Sequence, residues 1–347
     1  MIEVTIDGKS IEVESGITIL EASRKLGIDI PTFCLDDNME PQGLCRICVV
    51  EIKGFSKLFT SCSTVIDRPM EIFTESENVV ESRKMLLDLL LSNHDFDCVN
   101  CQKSGACKLQ EYCLRYNIEK TSFNGRKNTY KIDDSNEFYL SNQNKCILCK
   151  KCVKMCSEIQ CTSAITESDS GFITRINTPM SCGLKESTCV SCGNCVAVCP
   201  VGALVPKYQP YRHWEVSKVK TTCTYCGVGC QLNLIVKDSK VVGVESNPKG
   251  PNKGLLCVKG RFSYNFINHR DRLKKPLVKI NGKFEEFTWD AALTFIKNRI
   301  TYIREKNGAD SIGILSSARC TNEENYLLQK FARVVLGTNN IDHCARL

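Results

Sequence analysis

The first residues alternate between apolar and polar. Ile2, Val4 and Ile6 are apolar with polar residues between them, and the alternation resumes at Ile11 and Val13 after Asp7-Gly8. Period-two patterning on both sides of an Asp-Gly pair predicts a β-hairpin over residues 2–13. Thr18 followed three residues later by Glu21 is a capping-box pattern, and Gly27 supplies a stop, so a short helix comes next. Over 79–92 the apolar residues Val79, Val80, Met85, Leu86, Leu89 and Leu90 fall at helical spacing, which predicts a helix that delivers His94. A second helix is expected over 105–116. The stretch 120–144 is polar and rich in Asn, Lys and Asp, the composition of a linker or surface excursion. A further connector over 205–220 holds Pro206, Tyr208, Pro210 and Tyr211. After it, 230–246 predicts a hairpin with Leu232, Leu234 and Val236 facing Val242 and Val244. From 288 the pattern becomes α/β: a helix over about 289–306, a short strand at Ile312–Leu315 and a helix over Glu323–Val335.

The composition is that of an ordinary globular chain, 42% hydrophobic and 24% charged. The net charge of +7 is scattered, with no long Lys/Arg block, which argues against nucleic acid and leaves room for an acidic redox partner. The start, Met1-Ile2-Glu3-Val4, has no basic residue followed by an apolar core, so no signal peptide is expected. The strongest apolar run, Met85 to Leu91, is broken by Asp88 and is too short to span a bilayer. The expected location is cytoplasmic. The outlier is cysteine, at 24 residues. Cytosolic thiols stay reduced, so grouped cysteines there point to metal.

Nineteen of the 24 fall into ligand spacings. Cys34, Cys45, Cys48 and Cys62 form a four-thiolate set on a loop after the hairpin and helix, the order of a β-grasp ferredoxin, and suit a 2Fe–2S centre; zinc is the alternative. His94, Cys98, Cys101 and Cys107 form a second set, although His94 by itself reads as a helix-terminal histidine. Cys146, Cys149, Cys152, Cys156 and Cys189, Cys192, Cys195, Cys199 repeat C-x2-C-x2-C-x3-C at an offset of 43 residues. In such runs three cysteines hold one cubane and the fourth reaches the other. Cys199 is therefore expected to complete the centre of Cys146, Cys149 and Cys152, and Cys156 that of Cys189, Cys192 and Cys195. Pro200 follows the second run, whereas Ser157 stands at that place in the first. A fifth set is Cys223, Cys226, Cys230 and Cys257, where Gly227 and Gly229 let the backbone wrap close to sulfur. Cys113, Cys161, Cys182, Cys320 and Cys344 remain; Cys113 is read as core packing, and Cys161 and Cys182 as structural.

The first spacing resembles the N-terminal domain shared by the large iron–sulfur subunit of respiratory complex I, some iron-only hydrogenases and formate dehydrogenases. The second resembles the His-ligated 4Fe–4S motif of the same families. TTCTYCGVGC and GLLCVKGR, around the fifth set, resemble the cluster domain of molybdopterin oxidoreductases, and there Lys259 matches the lysine between cluster and pterin. The stretch Ser316 to Tyr326 and the closing GTNNIDHCARL resemble formate dehydrogenases, many of which continue with selenocysteine. The chain is thus similar to the front portion of a molybdopterin-dependent formate dehydrogenase α subunit.

That resemblance implies an α+β multidomain architecture: a 2Fe–2S β-grasp domain over 1–78, a His-ligated 4Fe–4S domain over 79–118, a linker over 119–144 and a double 4Fe–4S ferredoxin domain over 145–205. A second linker over 206–219, a molybdopterin-oxidoreductase 4Fe–4S domain over 220–275 and the start of an α/β molybdopterin domain over 276–347 follow. It implies one 2Fe–2S and four 4Fe–4S clusters, and in the longer protein Mo or W held by two molybdopterin guanine dinucleotides. The catalytic ligand is expected immediately after Leu347, with Lys259 as electron relay. Electrons from formate, or toward CO2, would pass to a flavin- and cluster-containing NAD(P)H- or ferredoxin-linked subunit. The competing expectation is an electron-transfer-only iron–sulfur subunit of a hydrogenase or NADH dehydrogenase-type complex.

Overall fold

A computed structural model describes the backbone of residues 1–344 and the side chains of residues 1–343. The expected catalytic position beyond Leu347 and the closing residues 345–347 lie outside the described residues.

Strands β1 (Ile2–Ile6) and β2 (Lys9–Val13) pair antiparallel, with Ile6 opposite Lys9. Asp7 and Gly8 turn between them at φ of 47° and 79°, the two left-handed positions a tight hairpin needs. Helix α1 (Ile19–Lys25) starts on the expected capping box: Thr18 Oγ1 accepts from Glu21 N at 3.2 Å, and Glu21 Oε2 accepts from Thr18 N at 2.7 Å. Strands β3 (Val49–Ile52), β4 (Phe59–Thr60) and β5 (Met70–Phe73) complete a mixed sheet of order β2-β1-β5-β3-β4 in which only β1 and β5 run parallel. Val4, Ile6 and Ile72 of the sheet bury against Ile19, Leu20 and Ala22 of α1. This is the β-grasp arrangement, with the first four cysteines on its loops.

Helix α2 (Glu77–Ser92) corrects the expected apolar face. The buried stripe is Val79, Arg83, Leu87 and Leu91, while Met85 and Leu89 are exposed. An arginine sits on the inner face because its guanidinium is fully satisfied there, as detailed below. Helix α3 (Lys108–Arg115) buries Leu109, Tyr112 and Cys113, and the Tyr112 hydroxyl accepts from Thr32 N at 3.0 Å, tying it to the first domain.

The polar stretch before Cys146 ends in strand β6 (Tyr139–Ser141). Helix α4 (Lys151–Lys154) runs on through a π-turn to Ile159, and β7 (Thr166–Ser168) pairs with β8 (Arg175–Asn177). Helix α5 (Asn194–Val198) precedes β9 (Leu204–Pro206), which pairs antiparallel with β6 and so closes the repeat. One core runs from Phe33 and Leu87 through Leu109 to Tyr139, Ile147 and Val201, so the second, third and fourth ligand sets share a packed interior.

Next come β10 (Ser217–Thr222), β11 (Gln231–Lys237) and β12 (Lys240–Ser246), a three-stranded antiparallel sheet, and helix α6 (Val258–Phe262). The expected β11–β12 hairpin is present with Leu234 opposite Val244. An irregularity after Ile235 places Val236 opposite Val241 instead of Val242. Beyond it, β13 (Leu277–Ile280) and β14 (Lys283–Glu286) form a hairpin that leads into α7 (Trp289–Asn307). Strand β15 (Ile314–Ser317), helix α8 (Asn322–Lys330) with a π-turn to Leu336, and β16 (Ile341–Cys344) make a parallel β-α-β unit. The strand begins two residues later than expected because Ala309–Ser311 coil into a 3₁₀ turn that ends at Ile312. Among the described residues no helix is long and apolar enough to cross a membrane.

Candidate metal centres

The four cysteines of the β-grasp domain stand in two pairs. Cys48 and Cys62 Sγ are 3.4 Å apart, and Cys34 and Cys45 share a sulfur–sulfur hydrogen bond. That bond holds the Cys34 thiol down to about 6 and pushes Cys45 up; Cys62 is held down by Cys48 in the same way. In each pair one sulfur is held down and its partner pushed up, the mark of two sulfurs crowded into one place. The loop from Cys45 to Cys48 is gripped from outside its own domain. Arg83 of α2 donates Nε to Ile47 O at 3.1 Å and Nη2 to Val49 O at 2.8 Å. Its Nη1 reaches Glu75 Oε1 at 2.8 Å and the Tyr116 hydroxyl at 2.7 Å.

His94 follows the end of α2 and is 7% exposed. Its Nδ1 is buried with no hydrogen-bond partner, and burial, aided by Lys145, pushes its pKa down to about 4. A neutral imidazole with an idle buried nitrogen is chemically able to take a Lewis acid. Cys98 and Cys107 line the same cavity as His94, and Cys113 lines it too, its thiol pushed up to about 11, chiefly by burial. Core packing accounts for the burial of Cys113, but its place beside this set had no signal in the sequence spacing. Cys101 points to Gly202, where a Cβ would meet its sulfur at 2.6 Å.

The repeat gives the clearest geometry. One cavity is lined by Cys146, Cys149, Cys152 and Cys199, with Ile147, Ile176 and Leu204 around them. The other is lined by Cys156, Cys189, Cys192 and Cys195, with Tyr139, Met155 and Ile165. Their atom-free spaces, open margins included, are about 350 Å³ and 320 Å³. The two C-x2-C-x2-C turns repeat in backbone as well as in sequence. Leu148 and Lys150 have positive φ, and so do their counterparts Ser191 and Gly193. These left-handed steps turn amides inward: Leu148 N donates to Cys146 Sγ at 3.4 Å and Ser191 N to Cys189 Sγ at 3.3 Å. Pro200 ends the second run, whereas Ser157 continues the helix, its Oγ donating to Val153 O at 3.1 Å. Cys156 is met by Ala164 N at 3.3 Å and Thr162 Oγ1 at 3.2 Å, and Cys189 by the buried Tyr139 hydroxyl at 3.1 Å. Burial pushes Cys146 and Cys149 up to about 12 and raises Cys152 and Cys195 as well. Thiols so placed need a positive charge beside them, such as a metal centre, to become thiolates.

In the fifth set Cys223 closes β10 and its N donates to Cys230 O at 2.8 Å. Cys226 and Cys230 lie on the loop before β11, and Cys257 precedes α6. Gly229 has φ of 68°, and a Cβ at Gly227 would meet Ala318 O at 2.7 Å, so the loop presses on the strand end of the β-α-β unit. Lys259 sits exposed on α6. Two residues on, Arg261 is buried, a residue that no spacing in the sequence marks. Among the described residues, no group of three or more His, Cys, Asp and Glu side chains is drawn together around a single ion; the first set's thiols stand in pairs.

Family models match the chain in the order of these centres. Residues 1–77 match a 2Fe–2S iron–sulfur cluster binding domain, 83–122 the NADH-ubiquinone oxidoreductase-G iron–sulfur binding region, and 145–203 a 4Fe–4S dicluster domain. Residues 216–269 match the molybdopterin oxidoreductase Fe4S4 domain and 272–347 the molybdopterin oxidoreductase domain. In chain order the protein therefore carries 2Fe–2S, NADH-ubiquinone oxidoreductase-G iron–sulfur, 4Fe–4S dicluster and molybdopterin oxidoreductase domains. Two curated relatives align along the whole length of this chain. A subunit of the NADH-quinone oxidoreductase of Rhizobium meliloti is 38% identical over 355 residues, covering 100% of this chain and 40% of the relative. A Staphylococcus aureus protein named "Putative formate dehydrogenase" is 36% identical over 385 residues, covering 99% of this chain and 39% of the relative. The chain therefore spans about two fifths of the relatives it matches. Among solved structures, a chain of the NAD+-reducing [NiFe]-hydrogenase in the H2-reduced state is 30% identical with a TM-score of 0.55, over 59% of this chain and 87% of that chain.

Proposed function

We propose that this chain is the front portion of a formate dehydrogenase catalytic subunit, in which five iron–sulfur centres carry electrons between a molybdopterin site and an NAD(P)- or ferredoxin-linked partner. The observation that carries the electron-transfer part is the pair of cavities, each lined by three cysteines of one repeat half and the fourth of the other. The side chains fit the groups assigned to them. Paired thiols Cys34/Cys45 and Cys48/Cys62 offer two ligands to each metal of a binuclear centre. The idle Nδ1 of His94, with Cys98, Cys101 and Cys107, offers a tetranuclear centre one neutral and three anionic ligands. Cys223, Cys226, Cys230 and Cys257 would hold the last centre. When bound, the clusters supply single-electron steps, and Mo or W on two pterin guanine dinucleotides supplies the two-electron exchange with formate or CO2.

The chain's own part is to hold, bury and space the sites. Apolar walls such as Ile147, Ile176 and Leu204 exclude water from the repeat's sulfurs, and inward amides balance their charge. Lys259 lies on α6 two residues past Cys257, the last cysteine of the fifth set, and we assign it the relay between that centre and the pterin. Free thiols throughout the described cysteines fit a reducing cytoplasm. The formate assignment rests on the staphylococcal relative and the Ser316–Tyr326 stretch. The second reading, electron transfer alone within a multisubunit NAD-linked complex, draws on the NADH-quinone oxidoreductase relative and the hydrogenase neighbour.

The deciding experiment purifies the complete gene product from cells supplied with molybdate or tungstate and measures formate-dependent reduction of a viologen dye. Turnover with formate supports the proposal. Iron-replete protein that takes electrons from NADH or a reduced partner but none from formate leaves the electron-transfer reading standing.

A further inference from the structure

Arg261 is 5% exposed, and every hydrogen bond of its guanidinium goes to a neutral acceptor. Nε donates to Cys192 O at 3.0 Å, Nη2 to Asn194 Oδ1 at 2.9 Å, and both terminal nitrogens to Ser246 Oγ at 3.2 Å. A buried cation without a carboxylate is costly and needs a counter-charge nearby. The groups that favour its charge are the sulfurs of Cys192, Cys195 and Cys257. The residue therefore touches the fourth ligand set from a helix that begins at a ligand of the fifth.

The fit around it is tight. Gly193 has φ of 70°, and a Cβ there would run into the Arg261 side chain and meet the Phe262 ring at 2.6 Å. Phe262 stacks on Phe138 at 5.1 Å and 13°, and on Tyr139 at 6.3 Å, whose hydroxyl reaches Cys189 Sγ at 3.1 Å. Asn194 Oδ1, besides accepting from Arg261, accepts from Leu256 N at 3.2 Å, next to Cys257. Two consecutive residues of α6 thus contact the surroundings of Cys189 and Cys192 by charge and by stacking.

We propose that Arg261 is the positioning residue that joins the centre of Cys156, Cys189, Cys192 and Cys195 to that of Cys223, Cys226, Cys230 and Cys257, and that its charge raises the reduction potential of the former. This rests on the iron–sulfur reading above. Reduction adds an electron to the centre, and a fixed buried cation stabilises the reduced form. The centre beside Arg261 becomes the better acceptor, which draws electrons from the fifth set into the ferredoxin repeat.

The test is an EPR-monitored redox titration of the complete protein as wild type, Arg261→Lys, Arg261→Gln and Asn194→Asp. Gln removes the charge, Lys keeps it, and the aspartate leaves the guanidinium in place and neutralises it. In the Gln and Asp variants the midpoint of one 4Fe–4S centre is expected to fall by about 59 mV, a decade in a one-electron equilibrium constant. The Lys variant is expected to stay at the wild-type value. Should Arg261→Gln fail to fold, Asn194→Asp decides. Unchanged midpoints in an iron-replete Asn194→Asp protein, whatever its melting temperature, would overturn the proposal and reduce Arg261 to packing. A wild type without iron would overturn the cluster reading itself, and this proposal with it.

Discussion

Replacing Arg83 with Met should loosen the loop of the first centre by an amount that the structure sets. Its side chain is fully buried and supplies the donors for Ile47 O at 3.1 Å and Val49 O at 2.8 Å, both on buried residues. Methionine keeps the apolar stem and offers no donor, so both carbonyls lose their partner. A stranded buried acceptor costs roughly 1–3 kcal/mol, which puts the pair at roughly 2–6 kcal/mol. Glu75 adds little, since it keeps the Tyr116 hydroxyl at 3.1 Å and Arg115 at 2.7 Å. The loss falls on β3 and the Cys45–Cys48 loop, where native-state amide exchange reads local stability directly. At about 1.4 kcal/mol per decade, exchange of the β3 amides should speed up at least about 30-fold. Acceleration below about threefold would refute the argument that Arg83 is the satisfying partner of this loop.

Three further outcomes follow from the geometry. Cys199→Ala should extinguish the same EPR signal as Cys146→Ala, and Cys156→Ala the same as Cys189→Ala, each removing about 4 of about 18 irons; a signal shared by Cys199→Ala and Cys189→Ala would break the crosswise assignment. Gly202→Ala places a methyl 2.6 Å from Cys101 Sγ, so iron analysis should show loss of the His94-set centre while the repeat's two signals persist. Thr18→Ala removes the acceptor for Glu21 N and should cost about 1 kcal/mol in chemical denaturation followed through the 2Fe–2S absorption.

The residues that the sequence revealed are those whose signal is local. Asp7-Gly8, the Thr18–Glu21 box and each cysteine run act within a few positions, so spacing alone carries them, and the repeat places Cys199 in the cavity of Cys146, Cys149 and Cys152 and Cys156 in that of Cys189, Cys192 and Cys195. What stayed hidden comes from far along the chain. Tyr139 reaches Cys189 across 50 positions, and Arg261 reaches Cys192 across 69. On α2 the periodicity misled, since the apolar count favoured Met85 and Leu89 and gave no reason to turn Arg83 inward. Its partners Ile47 and Val49 lie 36 and 34 positions away.

The two hidden arginines solve one problem in two ways. Each reaches across a domain boundary and sets its Nε on a carbonyl inside a cysteine loop, Ile47 O between Cys45 and Cys48 or the carbonyl of Cys192 itself. Arg83 brings a carboxylate with it, Glu75 at 2.8 Å, so the pair adds almost no net field at the first centre and its effect is mechanical. Arg261 bonds only neutral groups, so its charge is left for the sulfurs. Removing the pair together, Arg83→Met with Glu75→Gln, should therefore change the stability of the β-grasp loop while the midpoint of its centre stays put, whereas Arg261→Gln should move a midpoint. A shift of the 2Fe–2S midpoint in that double variant comparable to that in Arg261→Gln would show that the carboxylate does not screen, and the distinction between the two boundaries would fall.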